Sequence, residues 1–287
     1  MDDPMASFKD DIDAARHAIV TEMSKGRDVI VVAHSYGGMV GNSAVKGLTG
    51  PISERAQAST PNDSSSSTAI SDAQNLNQGR VVGLILIATE LTLTGVAFMD
   101  PFFGHPPPSW RVNKETGFAD LVVRPQDLFY NDLPPVEADY HSSMLTTQSL
   151  KALFEGGEHA YSGWLDVPIW YIGTIDDKGL PIAVQRIQVG MARAMGGDVI
   201  HAEMRTSHSP FLSQPAQVVQ ILLQAHHAFT GQTADNRLEI LEKIWTAAGD
   251  WDRHRMEHSF VQKTQEPVEV SVYLSHAVAT RLINNWI

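Results

Sequence analysis

The feature that most constrains the fold is an apolar run that leads directly into the pattern small-x-Ser-x-Gly, formed by Ala33, Ser35 and Gly37. Residues 28–33 read Asp-Val-Ile-Val-Val-Ala, a β-branched run typical of a strand that is covered on both faces in a parallel sheet. Residues 34–38, His-Ser-Tyr-Gly-Gly, follow at once, and residues 39–48 continue with a helical pattern of small residues. A strand that turns into a helix at such a serine exposes its hydroxyl on a strained turn. The pattern predicts that Ser35 is a nucleophile, with a coincidental buried turn as the alternative.

Three further strand patterns place the chain in the α/β class. They cover residues 80–88, 167–173 and 198–204, and helical patterns cover residues 181–195 and 214–228. Strands that alternate with helices favour a mostly parallel sheet. We therefore expect an α/β fold whose strands end at a common edge, with Ser35 at that edge.

The first element of the chain is predicted to be an amphipathic helix. Apolar residues recur at spacings of three and four from Met5 to Met23. Ser7 followed by Asp10 is typical of a capping box at a helix start, and Gly26 is typical of a helix stop.

The chain divides into a core, an insertion and an extension. Residues 1–95 and 167–228 form the predicted core, in which the serine-rich residues 50–79 are a flexible loop. Residues 96–166 are rich in proline and aromatic residues, and so long an insertion between core strands indicates a helical lid over a binding site. An accessory helical layer without ligand contact is the alternative. Residues 229–287 form a C-terminal extension to which the sequence assigns no role.

A serine nucleophile needs a base to accept its proton and an acid to orient that base. His208 lies in a predicted loop after the fourth strand and is the candidate base. A serine on this kind of turn is followed along the chain first by the acid and then by the histidine, and the sequence meets that order. Asp176 and Asp177 both follow the third strand, and the order alone does not separate them. His34 is expected to line the pocket or to support the turn, and His201 to be packed within its strand.

Composition narrows the classes of function. A net charge of −12 without clusters of basic residues argues against a nucleic-acid partner. The chain has no cysteine, which excludes a thiol nucleophile and cysteine-ligated zinc. No apolar run reaches the roughly 18 residues of a membrane-spanning helix, and the acidic start lacks a secretory signal. We expect a cytoplasmic protein that binds neither membrane nor nucleic acid, with a homodimer as one alternative for its oligomeric state.

Three segments together resemble one family. They are Val-Val-Ala-His-Ser-Tyr-Gly-Gly-Met at 31–39, Trp-Tyr-Ile-Gly-Thr-Ile-Asp-Asp-Lys-Gly-Leu-Pro at 170–181, and Ser-His-Ser-Pro-Phe-Leu-Ser at 207–213. They look like the α/β-hydrolase superfamily, in the branch of plant methylesterases and hydroxynitrile lyases. Within that branch they are most similar to fungal members, some of which accompany polyketide pathways. The resemblance covers residues 6–228.

The resemblance implies a role for each residue of the site. The acid of this branch precedes a lysine with a proline a few residues on, which corresponds to Asp177. Asp176 remains a competitor, and Glu90 is a further alternative because some members take their acid from the end of the second strand. The backbone N–H of Tyr36, directly after the nucleophile, is the expected donor to the oxyanion.

The resemblance also implies strands and a second oxyanion-hole loop ahead of Val29, where this sequence has one helix. We therefore expect an α/β-hydrolase-type sheet that lacks its first strands. An incomplete gene product, a natural truncated paralogue and a rearranged active enzyme are three interpretations of that pattern.

The function predicted from these residues is a serine hydrolase. Its substrate is an ester, lactone or thioester of a small apolar or polyketide-like molecule, and its chemistry needs no metal and no cofactor. The predicted substrate-binding residues are His34, Phe102, Phe103, Trp110, Phe129 and Tyr130, although the aromatic residues among them are equally typical of packing inside a lid. A non-catalytic binding protein, a lactone-forming thioesterase or cyclase, and a hydroxynitrile lyase are the alternatives.

Overall fold

The computed structural model describes residues 3–50 and 79–231, and its framework is a set of β-strands in two sheets. The strands of this part of the chain are β1 (Val29–His34), β2 (Val81–Ile87), β3 (Trp110–Asn113), β4 (Phe118–Leu121), β5 (Gln148–Ser149), β6 (Ile169–Thr174) and β7 (Val199–Met204). The larger sheet has the order β1-β2-β6-β7 with all neighbours parallel. The α/β class and the parallel sheet predicted from the sequence are confirmed.

Helices connect these strands. The α-helices of the described residues are α1 (Phe8–Met23), α2 (Tyr36–Ala44), α3 (Pro125–Phe129), α4 (Pro135–Ser143), α5 (Leu150–Phe154), α6 (Ile182–Ala194), α7 (Pro210–Ser213) and α8 (Pro215–Thr230). Short 3₁₀ helices cover Asp100–Phe102, Gly157–His159 and Gly163–Leu165. None of these helices combines the length and the apolar character that crossing a membrane requires.

The apolar strands are buried on both faces of the sheet because successive side chains of a strand point in opposite directions. On one face, Val31 and Leu86 belong to a core cluster with residues of α1, α2 and α6. On the other face, Val32 and Ile85 pack with residues of α8. This two-sided burial explains why the strands read as continuous apolar runs rather than alternating ones.

The start of α1 has the predicted capping box. The backbone N–H of Asp10 donates to the Ser7 hydroxyl at 3.2 Å, and the Asp10 carboxylate accepts from the Ser7 backbone N–H at 2.9 Å. These bonds satisfy backbone donors that the first helical turn leaves without partners. Helix α1 ends at Met23, and Gly26 follows with a φ of 77°.

The insertion between β2 and β6 departs in part from the predicted helical lid. It contains α3, α4 and α5, but also the antiparallel sheet β3-β4-β5. The turn between β3 and β4 explains the pairing. The Asn113 side chain accepts hydrogen bonds from the N–H groups of Glu115 and Thr116, and Gly117 has a φ of 77°. This turn reverses the chain, so that β3 and β4 on either side of it pair as antiparallel strands.

Two predicted segments fall largely beyond the described part of the chain. The predicted loop at residues 50–79 overlaps it only at its two ends, and the predicted extension at residues 229–287 only as far as residue 231. Within the described residues, β1 is the first strand, lies at one edge of the larger sheet and is preceded by α1.

The core predicts which apolar side chains stabilise the fold. Leu86 is fully buried in the central strand β2, whereas 71% of Ile187 on α6 is exposed. We expect Leu86→Ala to lower the free energy of unfolding by about 2–5 kcal/mol because it leaves a cavity. The matched Ile187→Ala variant is expected to change it by less than about 0.5 kcal/mol. Urea denaturation followed by circular dichroism measures both values, and equal losses would contradict this description of the core.

Candidate active site

Ser35 lies on a strained turn between β1 and α2. Its φ of 51° and ψ of −136° are unfavourable for a residue with a side chain, and such values persist only where the surroundings hold them. The Thr89 hydroxyl holds this turn by donating to the Ser35 carbonyl at 2.5 Å. A Cβ atom at Gly38 would lie 2.0 Å from the same hydroxyl oxygen, so this position requires glycine. Glycine at position 38 therefore allows Thr89, two residues after the end of β2, to support the turn.

The end of β2 is itself fixed against β6. The Tyr171 hydroxyl donates to the Thr89 carbonyl at 2.6 Å and accepts from the Thr89 N–H at 3.1 Å. Ala88 has a φ of 44°, a left-handed conformation that non-glycine residues seldom adopt. These bonds and this conformation give the residues after β2 a defined direction.

A continuous chain of hydrogen bonds joins three strand ends. The Ser35 Oγ lies 2.9 Å from His208 Nε2, and His208 Nδ1 lies 2.8 Å from Asp177 Oδ2. Ser35 follows β1, Asp177 follows β6 and His208 follows β7, and the carboxyl ends of parallel strands lie at one edge of a sheet. His208 and Asp177 are both buried. Such an arrangement can transfer a proton from the serine to the imidazole.

The buried carboxylate of Asp177 is surrounded by donors. Its Oδ1 accepts from the backbone N–H groups of Gly179 and Leu180, each at 2.8 Å, and its Oδ2 accepts from the Thr174 hydroxyl at 2.8 Å. Burial raises the pKa of Asp177, but the charge of His208 and these hydrogen bonds outweigh it and hold the pKa below its usual value. The carboxylate is therefore ionised and able to orient His208.

The other two candidate acids form no hydrogen bond or ion pair with His208. The Asp176 side chain is 44% exposed and lies 3.4 Å from Arg205. Glu90 lines the cavity next to Ser35, and the described residues make no hydrogen bond to its carboxylate. Of the three candidate acids, Asp177 is therefore the one whose carboxylate is hydrogen-bonded to His208.

His34 supports the histidine loop instead of lining the cavity, which corrects its assignment as a substrate-binding residue. Its Nε2–H donates to the backbone carbonyl of His208 at 2.8 Å, and the two rings lie 4.7 Å apart. Burial, together with the charge of His208, lowers the pKa of His34 to about 3. His34 is therefore neutral and acts as a fixed donor beneath the loop. His201 is packed against the ring of Tyr171, as the sequence analysis predicted.

A residue of the insertion also holds this loop, and the sequence analysis missed it. The Asp132 carboxylate accepts from the Ser207 backbone N–H at 2.9 Å and from the Ser207 hydroxyl. The two residues are 75 positions apart, and no spacing rule links positions so distant in the chain. His208 is thus held from β1 by His34 and from the insertion by Asp132.

A cavity of about 150 Å³ opens beside Ser35 and His208. Of the aromatic residues expected in its wall, Phe102, Trp110 and Phe129 line it. Phe103 and Tyr130 do not, because each directly follows a lining residue and points elsewhere. Phe103 is 89% exposed, and Tyr130 is buried in a cluster with residues of α3 and α4. The further lining residues that the sequence analysis did not assign to the wall are Ala88, Thr89, Phe98, Pro107, Ser109, Leu128, Gly179, Leu180, Pro181 and Val184.

The N–H of Tyr36 is available at the start of α2. Because Tyr36 is the first residue of the helix, this N–H has no intrahelical acceptor. The side chain is anchored elsewhere, since its hydroxyl donates to Asp11 at 3.1 Å and its ring packs against Phe8. The N–H can therefore donate to an anion beside Ser35. Within the described ranges, no group of His, Asp and Glu side chains is arranged to hold a metal ion.

Comparison with known proteins agrees with the fold of this chain. Residues 2–221 match the model of a family described as the alpha/beta hydrolase family. The alpha/beta hydrolase nvfD of Aspergillus novofumigatus is 26% identical over 224 residues, which cover 77% of this chain and 79% of that protein. Two solved structures share the fold. Polyneuridine aldehyde esterase has a TM-score of 0.52 and 18% identity over 77% of this chain and 80% of its own. An extracellular alpha/beta-hydrolase from a Paenibacillus species has a TM-score of 0.51 and 13% identity, and the match covers 78% of this chain and 81% of that protein.

The buried neutral His34 predicts how stability depends on pH. The unfolded residue takes up a proton below its ordinary pKa of 6.5, whereas the folded residue stays neutral down to about 3. The unfolded state binds more protons between these values, so the free energy of unfolding falls as the pH falls. His34→Gln keeps a hydrogen-bond donor but cannot titrate. Between about pH 7 and about pH 5 we therefore expect its free energy of unfolding to fall by about 1–2 kcal/mol less than that of the wild type.

Urea denaturation of both proteins at the two pH values measures this difference. Glu90 acts in the opposite direction, since burial raises its pKa to about 7, but it is present in both proteins and cancels in the comparison. Equal losses in wild type and variant would contradict the assignment of His34 as a buried neutral donor.

Proposed function

The chain belongs to the alpha/beta hydrolase family, and we propose that it is a serine-dependent hydrolase of small carboxylic esters. The observation that carries this proposal is the chain of hydrogen bonds from Ser35 through His208 to Asp177, at 2.9 and 2.8 Å, at the wall of an apolar cavity. Ser35 is the proposed nucleophile, His208 the general base and acid, and Asp177 the orienting carboxylate. The esterase named among the structures of similar fold is consistent with ester chemistry.

The first half of the reaction acylates Ser35. The hydroxyl oxygen attacks the ester carbonyl carbon while His208 Nε2 accepts the hydroxyl proton. Asp177 stabilises the resulting imidazolium through its bond to Nδ1. The N–H of Tyr36 donates to the oxyanion of the tetrahedral intermediate, and one such donor typically contributes about 10² to 10³ in rate. His208 then gives its proton to the leaving alcohol, and the acyl group remains on Ser35.

The second half releases the acid. A water molecule occupies the place of the departed alcohol, and His208 accepts its proton as the water oxygen attacks the acyl carbonyl. The second tetrahedral intermediate uses the same N–H of Tyr36. When it collapses, the carboxylic acid leaves and the proton on His208 returns to Ser35 Oγ. Two serial reactions with one base thus regenerate the starting enzyme.

The cavity limits the size of the substrate. Apolar cavities of about 150 Å³ accommodate a molecule as small as benzene, and this cavity has about that volume. Phe98, Phe102, Trp110 and Phe129 give it aromatic walls. We therefore propose a substrate whose enclosed portion is compact and largely apolar. Lactones and thioesters of that size present the same carbonyl to Ser35 and belong to the same reaction class.

Two adjacent carboxylates provide a matched test of this mechanism. We expect Asp177→Asn to lower kcat for p-nitrophenyl acetate by about 10⁴, because the amide cannot stabilise the imidazolium or hold its tautomer. Asp176→Asn removes an exposed carboxylate that faces Arg205, and is expected to change kcat by less than about twofold. Steady-state kinetics measure both values, with thermal melting to verify that each variant is folded. Equal effects of the two substitutions would contradict the assigned roles.

A further inference from the structure

Glu90 is the one carboxylate among the described residues that line the cavity. It follows β2 directly after Ala88 and Thr89, and the Thr89 hydroxyl donates to the carbonyl of Ser35. Glu90 and Ser35 therefore lie at the same edge of the sheet and face the same chamber. Nothing in the proposed hydrolysis uses this second acid.

Within the described ranges of the chain, the carboxylate of Glu90 has neither a hydrogen-bond donor nor a basic side chain as its partner. No side chain or backbone group there donates a hydrogen bond to it, and no lysine or arginine is part of the cavity wall. An acid without partners in an apolar site is costly, and burial raises the pKa of Glu90 to about 7. A ligand group with a positive charge and an N–H donor would provide both the opposite charge and the hydrogen bond that the Glu90 carboxylate lacks.

The backbone that leads into Glu90 is fixed, which favours recognition. Tyr171 holds both the N–H and the carbonyl of Thr89, and Ala88 is kept in a left-handed conformation. Strained backbone of this kind is concentrated at ligand sites because the surrounding structure must maintain it. The strain at Ala88 directs the next residues into the cavity.

The other wall residues suit the same kind of ligand. Phe98, Phe102, Trp110 and Phe129 place aromatic rings around the chamber that contains the Glu90 carboxylate. Aromatic faces attract cations through their electron density, and the attraction grows when water is excluded. A carboxylate among aromatic rings thus favours an organic cation over a neutral group of the same shape.

We propose that Glu90 determines substrate specificity by binding a protonated amine, so that the enzyme prefers small esters that carry an ammonium group. This inference rests on the proposed function, since it names the substrate class of the same site. The ammonium N–H donates to the Glu90 carboxylate while the ester carbonyl is presented to Ser35. An uncharged ester of equal shape leaves the carboxylate unpaired and is bound less well.

Binding to a variant that cannot react separates recognition from catalysis. The background is Ser35→Ala, and the two probes are 2-(dimethylamino)ethyl acetate and 3-methylbutyl acetate, which share one heavy-atom skeleton. Calorimetry at about pH 7.5, where the amine and most of the carboxylate are charged, gives both dissociation constants. We expect the amine ester to bind about tenfold more tightly or better.

Adding Glu90→Gln to this background tests the residue itself. Glutamine keeps the shape and a hydrogen-bond acceptor but removes the charge, so we expect the two dissociation constants to become nearly equal. The control is Asp13→Asn in the same background, which changes the net charge by the same amount on the exposed face of α1. The control is expected to retain the preference for the amine ester.

The outcomes distinguish this inference from the proposed function. A preference that survives Glu90→Gln, or equal or undetectable binding of the amine ester before that substitution, would overturn the role of Glu90. Hydrolysis of both esters by the protein with Ser35 intact, without any preference in binding, would leave the hydrolase in place and remove the inference. Preferential binding without hydrolysis of either ester by that protein would contradict the proposed function and retain the recognition of the amine.

Discussion

The parallel register of four strands is the constraint on which the site depends. Ser35, Asp177 and His208 follow three different strands, and a hydrogen bond between two of them requires those strands to end at the same level. Packing of both sheet faces against helices fixes that level, because a shift of one residue would place side chains of different size and shape against the close-packed helices. The geometry of the reacting groups is thus a consequence of how the apolar residues pack.

Hydrogen bonds from neighbouring segments offset the unfavourable features of the site. The left-handed conformation of Ser35 costs on the order of 1–3 kcal/mol, and the Thr89 hydroxyl stabilises it. The histidine loop is held from beneath by His34 and from the insertion by Asp132. The carboxylate that orients His208 is kept ionised by four donors besides the imidazole: two backbone N–H groups, a threonine hydroxyl and the Gln185 amide. Glu90 differs from these groups because the described residues leave its carboxylate unpaired, and it is therefore the group that a ligand would complete.

Local patterns in the sequence were sufficient to predict the four strands of the larger sheet, the capping box of α1 and the turn at Ser35, because each depends on residues close together in the chain. The choice of Asp177 over Asp176 was not local, since it came from the resemblance to a family. The sheet in the insertion was missed because proline and aromatic content obscured the turn at Asn113. The roles of Asp132 and His34 depend on contacts across 75 and 174 positions, which spacing does not encode.

The most direct test of the central claim is covalent labelling of the folded protein with a fluorophosphonate, which reacts with serines that an adjacent base activates. We expect one adduct, located on Ser35 by peptide mass spectrometry and absent from Ser35→Ala and His208→Ala. Labelling of a different serine, labelling that persists without His208, or no labelling of folded wild-type protein would contradict it.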